Sequence, residues 1–294
     1  MDIRNITSEP PVIEDDKYLE EIYELQKSLM QGYIGKIEKD LPSYPISINS
    51  EKGQLVLKDF SARVIEETAE GYESTSEAIK IADKYGWNMD NISLEDFDML
   101  LNHLQNSNEE QADAFAFFVE LMLYANIQPE DIYEYAKKKI VPSTEAVSSY
   151  NLNILFNIGY HLQNRSTDIV AHRYLFPLLS DSIMESNGLN SKEISHVNSY
   201  IPGFKNMNPN LHEIEDHLLW RVAYHLNIGR NFLKNKTWKQ TQELTDIVRY
   251  QEQVVLAFIN YCGYLQMMGF KPDTFYVLFY KKHMVNEFRQ KSNY

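Results

Sequence analysis

Over residues 17–39 the apolar positions Leu19, Ile22, Tyr23, Leu25, Leu29 and Tyr33 fall three and four apart and form one stripe, the period of an amphipathic helix. The segment LPSYPISINSEKG reads as a loop, and helical periodicity resumes from about Leu57 to Tyr85. Ser107 and Asn108 stand directly before EEQADAFAFFVELMLYA, so their capping side chains predict a new helix there. Pro129-Glu130-Asp131 opens a further helix running into Lys137-Lys138-Lys139, with proline in the first turn and cations at the end, as the helix dipole favours. Residues 141–212 read as helices between polar loops. No long stretch alternates with period two, and glycine (11) and proline (10) are sparse, so the expected fold class is all-α with very little sheet.

The helical pattern occurs twice. Arg63-Val64 and Gly71 recur as Arg221-Val222 and Gly229; Glu109, Ala114, Phe115, Pro129, Tyr133 and Lys138-Lys139 recur as Glu252, Ala257, Phe258, Pro272, Tyr276 and Lys281-Lys282. The shared order of helix, loop, helix, proline, helix and Lys-Lys predicts a bundle of two tandem degenerate repeats packed as a pseudo-dimer around one core. The division expected is 1–140 for the N-terminal helices and first repeat, 141–212 for a helical connector, and 213–294 for the second repeat.

Composition narrows the function classes. Forty-two acidic against 28 basic residues leave a formal charge of −14, which disfavours a sequence-independent grip on nucleic acid, since that grip needs surplus Lys and Arg. Cys262 is the sole cysteine, so no intrachain disulfide can form, and the N-terminus lacks a basic stretch followed by an apolar core. The longest apolar run, residues 114–127, is interrupted by Glu120 and falls short of the roughly 20 residues that cross a bilayer. A soluble, cytoplasmic protein with no membrane and no nucleic-acid partner is expected.

The candidate chemistry is carboxylate chemistry. Glu67 and Glu70, and again Glu110 and Asp113, lie three apart, which puts each pair on one helical face. Two such pairs facing one another repel unless cations or protons intervene, and a hard divalent ion such as Mg²⁺ suits an all-oxygen set that also meets a phosphate substrate. Acids three apart are commonly solvated surface. Here the repeat argues otherwise, because Glu67, Glu70, Glu110 and Asp113 align with His225, Ile228, Gln253 and Leu256, and apolar counterparts predict buried positions. His212 and His217, five apart, do not make a helical zinc pair, Cys262 reads as core, and neither a P-loop nor a GxGxxG sequence is present.

ExxE followed by ExxD on consecutive helices resembles the all-α nucleoside triphosphate pyrophosphatase superfamily, which contains dimeric dUTPases, dCTPases and MazG-type enzymes. The dimeric dUTPase branch is the most similar, through Trp238-Lys239 and the ending KKHMVNEFRQKSNY at 281–294. The matching parts span about 57–140 and 213–294. This resemblance implies a hydrolase of nucleotide metabolism that converts a deoxynucleoside triphosphate, dUTP first, to monophosphate and pyrophosphate. It implies Glu67, Glu70, Glu110 and Asp113 as ligands of two or more Mg²⁺ ions, with Glu67 or Glu70 catalytic in orienting the attacking water. Lys239, Lys282, Asn286 and Arg289 would meet phosphates, Trp238 would stack on the base, Gln26 would contact it, and Tyr294 would close over the site. Because the acids lie in the first repeat and the cationic ending in the second, one composite site is expected, in a monomeric pseudo-dimer or a homodimer.

Some positions depart from the pattern. Met30 occupies the place of an Asn that accompanies the Gln in uracil-specific members, Ala116 that of a His, His283 that of an Asn, and Asn293 that of a Gly. Two further readings therefore stand beside dUTP: another base, such as that of dCTP or a modified nucleotide, and a non-catalytic member that binds nucleotides or a protein.

Overall fold

The computed structural model describes residues 6, 8–14, 17–86, 91–140, 151–164, 211–234 and 245–292. It is all-helical: among the described residues β-type pairing is limited to an isolated bridge between Ile34 and Glu38. The α-helices are α1 (Tyr18–Tyr33), α2 (Glu51–Lys84), α3 (Leu94–Tyr124), α4 (Pro129–Tyr135), α5 (Leu152–Asn164), α6 (Leu211–Phe232), α7 (Ile247–Met267) and α8 (Pro272–Lys291). A π-helical turn over Ala136–Ile140 extends α4.

Local chemistry sets most of the boundaries. Ser50 starts α2 by accepting the Gly53 N–H at 3.0 Å, and Ser93 starts α3 by accepting that of Asp96 at 3.1 Å. At α4 and α8 proline takes the first helical position, where no N–H is needed. The turns before these two helices are alike. Asn126 (φ 57°) and Gly269 (φ 87°) each adopt the left-handed conformation three residues ahead of the proline. The next residue's N–H then bonds back to the preceding helix, Ile127 to Met122 O at 2.8 Å and Phe270 to Leu265 O at 3.0 Å.

Three sequence expectations are corrected. The first helix ends at Tyr33 rather than running to 39, because Ile34 turns extended and Gly35 takes φ 69°. The second begins at Glu51, with Ser50 as its cap, and not at Leu57. Ser107 and Asn108 cap nothing, since they lie in the middle of α3. Both are buried, and Ser107 Oγ is 2.8 Å from Thr75 Oγ1, so Ser107 serves the contact between α2 and α3 instead of a cap.

Helices α2 and α3 run antiparallel. Phe60 packs on Tyr124 at one end with ring centroids 5.1 Å apart, and Lys84 pairs with Asp96 at 2.6 Å at the other. Helices α6 and α7 form a second antiparallel pair, α5 packs on α7, and α8 lies between α1 and α3. The core is aromatic where α3 meets α7. Phe115 meets Phe258 at 5.2 Å, Phe118 meets Tyr261 at 5.2 Å, and the cross pairs Phe118–Phe258 and Phe115–Tyr261 stand at 5.6 and 6.4 Å. Full burial of each ring contributes about 1.5–3 kcal/mol. The Tyr261 hydroxyl, buried with its ring, donates to Gln111 Oε1 at 2.7 Å, which avoids an unpaired polar group in the core.

The contact between α5 and α7 depends on Gly159 and Gly263. A Cβ on Gly263 would lie 2.3 Å from the Gly159 carbonyl carbon, which is backbone and cannot swing aside. Gly263→Ala is therefore expected to destabilise the fold by about 1–3 kcal/mol despite alanine's better helix propensity. Urea unfolding checks this, and a variant as stable as the parent would contradict the close approach.

Candidate functional site

Helix α2 turns Glu67 and Glu70 toward α3, and α3 turns Glu110 toward α2 and Asp113 toward α8. The helices approach closely because residue 71 is glycine: a Cβ there would sit 2.3 Å from Gln111 Nε2 and 3.4 Å from Glu110 Cβ. Gln111 is held in turn by the Tyr261 hydroxyl. Glu67, Glu70 and Glu110 each offer an oxygen within 4.8 Å of the others, with Glu70 exposed and the other two half-buried. Asp113 stands apart from this trio. It pairs with Lys282 at 2.9 Å and hydrogen-bonds to Asn286, both from α8.

The electrostatics follow from crowding acids partly out of water. Burial, the hydrogen bond with Glu110 and the charges of Asp113, Glu110 and Glu70 push the Glu67 carboxyl up to about 8, so Glu67 carries a proton that it shares with Glu110. Burial likewise raises Glu110 and Asp113, with Lys282 opposing in both cases. Burial works against the charge of Lys282, but Asp113 and Glu109 outweigh it and raise its pKa above the ordinary lysine value. Lys282 is only 7% exposed and also reaches Glu109 at 3.2 Å. Three convergent carboxylates, one of them protonated and one open to solvent, form a hard-oxygen donor set that fits a divalent ion such as Mg²⁺, which would displace the shared proton.

The predicted residues fall into three groups. Glu67, Glu70 and Glu110 converge, and Asp113, Lys282 and Asn286 adjoin them. Arg289 is exposed one helical repeat beyond Lys282 on α8, so Lys282, Asn286 and Arg289 share a face at i, i+4 and i+7. Gln26 is not beside the acids: it is buried on α1 and donates to Glu120 at 2.5 Å. Trp238, Lys239 and Tyr294 lie outside the described residues. Met30 is fully buried in the core. At the aligned positions of the second pair, His225 Nδ1 meets Gln253 Oε1 at 2.9 Å, while Ile228 and Leu256 are half-buried rather than buried as expected. They border a surface instead of filling a core.

Sequence reasoning did not foresee Glu109 as the second acid on Lys282 or Glu120 as the partner of Gln26. Glu109 had a signal, its pairing with Glu252 in the internal repeat. Glu120 had one too, as a carboxylate inside the longest apolar run.

Compared with known protein families, curated proteins and solved structures, the chain matches none of them.

In metal-free buffer the folded protein keeps the Glu67 proton up to about pH 8, whereas the unfolded chain releases it near 4.5. The unfolded state therefore binds fewer protons over that interval, and this group's contribution to stability declines as pH rises through it. With EDTA present, the melting temperature is expected to fall from about pH 7 to about pH 8.5, and Glu67→Gln to flatten the fall. Scanning calorimetry checks it, and a flat wild-type profile would count against a shared proton. Mg²⁺ should raise the melting temperature most at the alkaline end.

Proposed function

We propose that the chain is a Mg²⁺-dependent deoxynucleoside triphosphate pyrophosphatase, most simply one that converts dUTP to dUMP and pyrophosphate. The observation that carries this reading is the junction of two unlike parts. A carboxylate trio suited to a divalent cation stands beside a buried lysine and an asparagine on Asp113, with an exposed arginine on the same helical face. A triphosphate with its cation needs this division of labour.

The first part of the reading is duplication. We assign α2–α4 and α6–α8 to two copies of one unit, related by a pseudo-two-fold axis between α3 and α7. Four observations support it. The contacts Phe115–Tyr261 and Phe118–Phe258 exchange corresponding residues, and Phe115–Phe258 and Phe118–Tyr261 pair each residue with its own counterpart. Lys282 of the second copy reaches Glu109 of the first at 3.2 Å, and Lys139 of the first lies 4.0 Å from Glu252 of the second. The turns at Asn126 and Gly269 share one geometry. His225 and Gln253 form a hydrogen bond where Glu67 and Glu110 share a proton.

One composite active site follows from this duplication. The first copy supplies Glu67, Glu70, Glu110 and Asp113, and the second supplies Lys282, Asn286 and Arg289. When bound, Mg²⁺ supplies charge neutralisation of the phosphates and polarisation of the scissile phosphoryl group. Glu67 or Glu70 orients the attacking water and accepts its proton. As water attacks phosphorus and the bond to the leaving pyrophosphate breaks, Lys282 and Arg289 offset the charge on the departing oxygens. Asn286 holds Asp113 in place, and from the sequence resemblance Lys239, Trp238 and Tyr294 complete the substrate contacts. With Met30 in the core rather than at a ligand, the amide that accompanies Gln26 in uracil-specific enzymes has no counterpart there, which keeps dCTP and modified nucleotides as substrates to test.

The test is pyrophosphate and monophosphate release from each dNTP, dUTP included, with Mg²⁺ or EDTA. Mg²⁺-dependent turnover is expected. Glu70→Gln and Asp113→Asn should each lower kcat by about 10²-fold or more, the loss of a few kcal/mol of charge stabilisation; the melting temperature should hold in Glu70→Gln and fall in Asp113→Asn, which leaves the buried Lys282 with Glu109 alone. If no nucleotide is hydrolysed, the enzymatic reading fails, and calorimetry with dUTP then decides whether the chain is a nucleotide-binding module.

A further inference from the structure

The four acids that the sequence pairs as ExxE and ExxD do not act as one set. Glu67, Glu70 and Glu110 converge, whereas the partners of Asp113 come from α8: Lys282 Nζ stands 2.9 Å from its Oδ2, and Asn286 hydrogen-bonds to it. A carboxylate paired with an ammonium and an amide has its charge met before any ion arrives.

Lys282 is built into this position. It is 7% exposed, and Glu109 Oε2 holds its other side at 3.2 Å. Glu109 is fixed in turn, because Gln105 Nε2 donates to its Oε1 at 2.9 Å. Helix α8 is anchored by Phe275 and Phe279, whose rings pack on Phe115 at 4.9 and 6.0 Å. Asp113 and Glu109 outweigh burial and keep the lysine charged. That charge reaches past Asp113, since it also lowers the pKa of Glu110, a member of the converging trio.

The other half of the molecule separates this lysine from metal chemistry. Lys139 and Glu252, the counterparts of Lys282 and Glu109, lie 4.0 Å apart there, although His225, Ile228, Gln253 and Leu256 stand where the first half has its four acids. The lysine–glutamate pair thus persists where no carboxylate set invites a metal. It belongs to the helix packing, and only in the first half does its cation also meet an aspartate.

Paired catalytic ions sit about 3.5–4 Å apart and need acids to hold both. The acid left to hold a second ion here is Asp113, and a buried ammonium already stands against it. We propose that the site takes a single divalent ion, at Glu67, Glu70 and Glu110, and that Lys282 is a built-in second cation that occupies Asp113 in place of another ion. The sequence resemblance, with its two or more Mg²⁺ ions, implies the opposite stoichiometry. The proposal rests on the metal reading of the site above and not on which nucleotide the site takes.

The experiment counts ions per chain on the nucleotide-free protein, by calorimetry with Mg²⁺ and by the electron paramagnetic resonance signal of free Mn²⁺. The wild type should bind one ion, with affinity about tenfold lower or more in Glu70→Gln. Lys282→Met leaves two buried acids without their cation, so it should bind a second ion, and Mg²⁺ should raise its melting temperature more than that of the wild type. Asp113→Asn should still bind one ion. Should Lys282→Met fail to fold, the wild type and Asp113→Asn decide. Two ions on the wild type, a single ion lost in Asp113→Asn, or a folded Lys282→Met chain that still binds one ion overturns the built-in cation and leaves the metal reading intact. No ion bound by the wild type overturns both.

Discussion

The contact of α2 with α3 at Gly71 puts more carboxylate into one place than water can fully solvate. Glu67 and Glu110 are held close enough to share a proton, Glu70 opens the group to solvent, and Asp113 is met by a lysine from a helix far along the chain. Two long antiparallel helices would ordinarily separate such acids onto opposite outer faces. Without a side chain at 71 and with Gln111 pinned by Tyr261, the acids face inward, and their repulsion has to be answered by protons or cations.

That demand explains the placement of α8. Its hydrophobic residues Phe275 and Phe279 pack around Phe115, and this docking carries Lys282 to Asp113 and Glu109. The cation is buried, and burial makes it useful, since a lysine in low dielectric between two acids is held in place before any ligand arrives. The proposed duplication gives the arrangement its economy. One copy keeps the acids and the other keeps the cations, while the corresponding His225–Gln253 pair is uncharged. The Gly159–Gly263 contact brings α5 and α7 to backbone contact, with no space left between them.

Much of this could be read along the chain because it is local. The stripe from Leu19 to Tyr33, proline at the first turns of α4 and α8, and the three-residue spacing within ExxE and ExxD each depend on neighbours within a turn or two. What misled was local chemistry that served distant partners. Ser107 and Asn108 have capping side chains but lie inside α3, where Ser107 meets Thr75 of α2, and Gln26, expected at the base, is held by Glu120, ninety-four residues away. Capping propensity describes what a side chain can do for its own backbone, and it is silent when another helix offers the same hydrogen bond.

By itself, then, the sequence determined an all-helical chain, the pairing of acids on single helical faces and the cationic character of α8, since helical period and charge are properties of consecutive residues. Only the tertiary structure decided that Glu67, Glu70 and Glu110 converge while Asp113 turns to Lys282, that Glu67 holds a proton to about pH 8, and that Glu120 faces Gln26 rather than solvent. Distances between helices and exclusion from water set those outcomes. Both depend on which helices pack together, a relation among residues dozens to well over a hundred positions apart that no periodicity encodes.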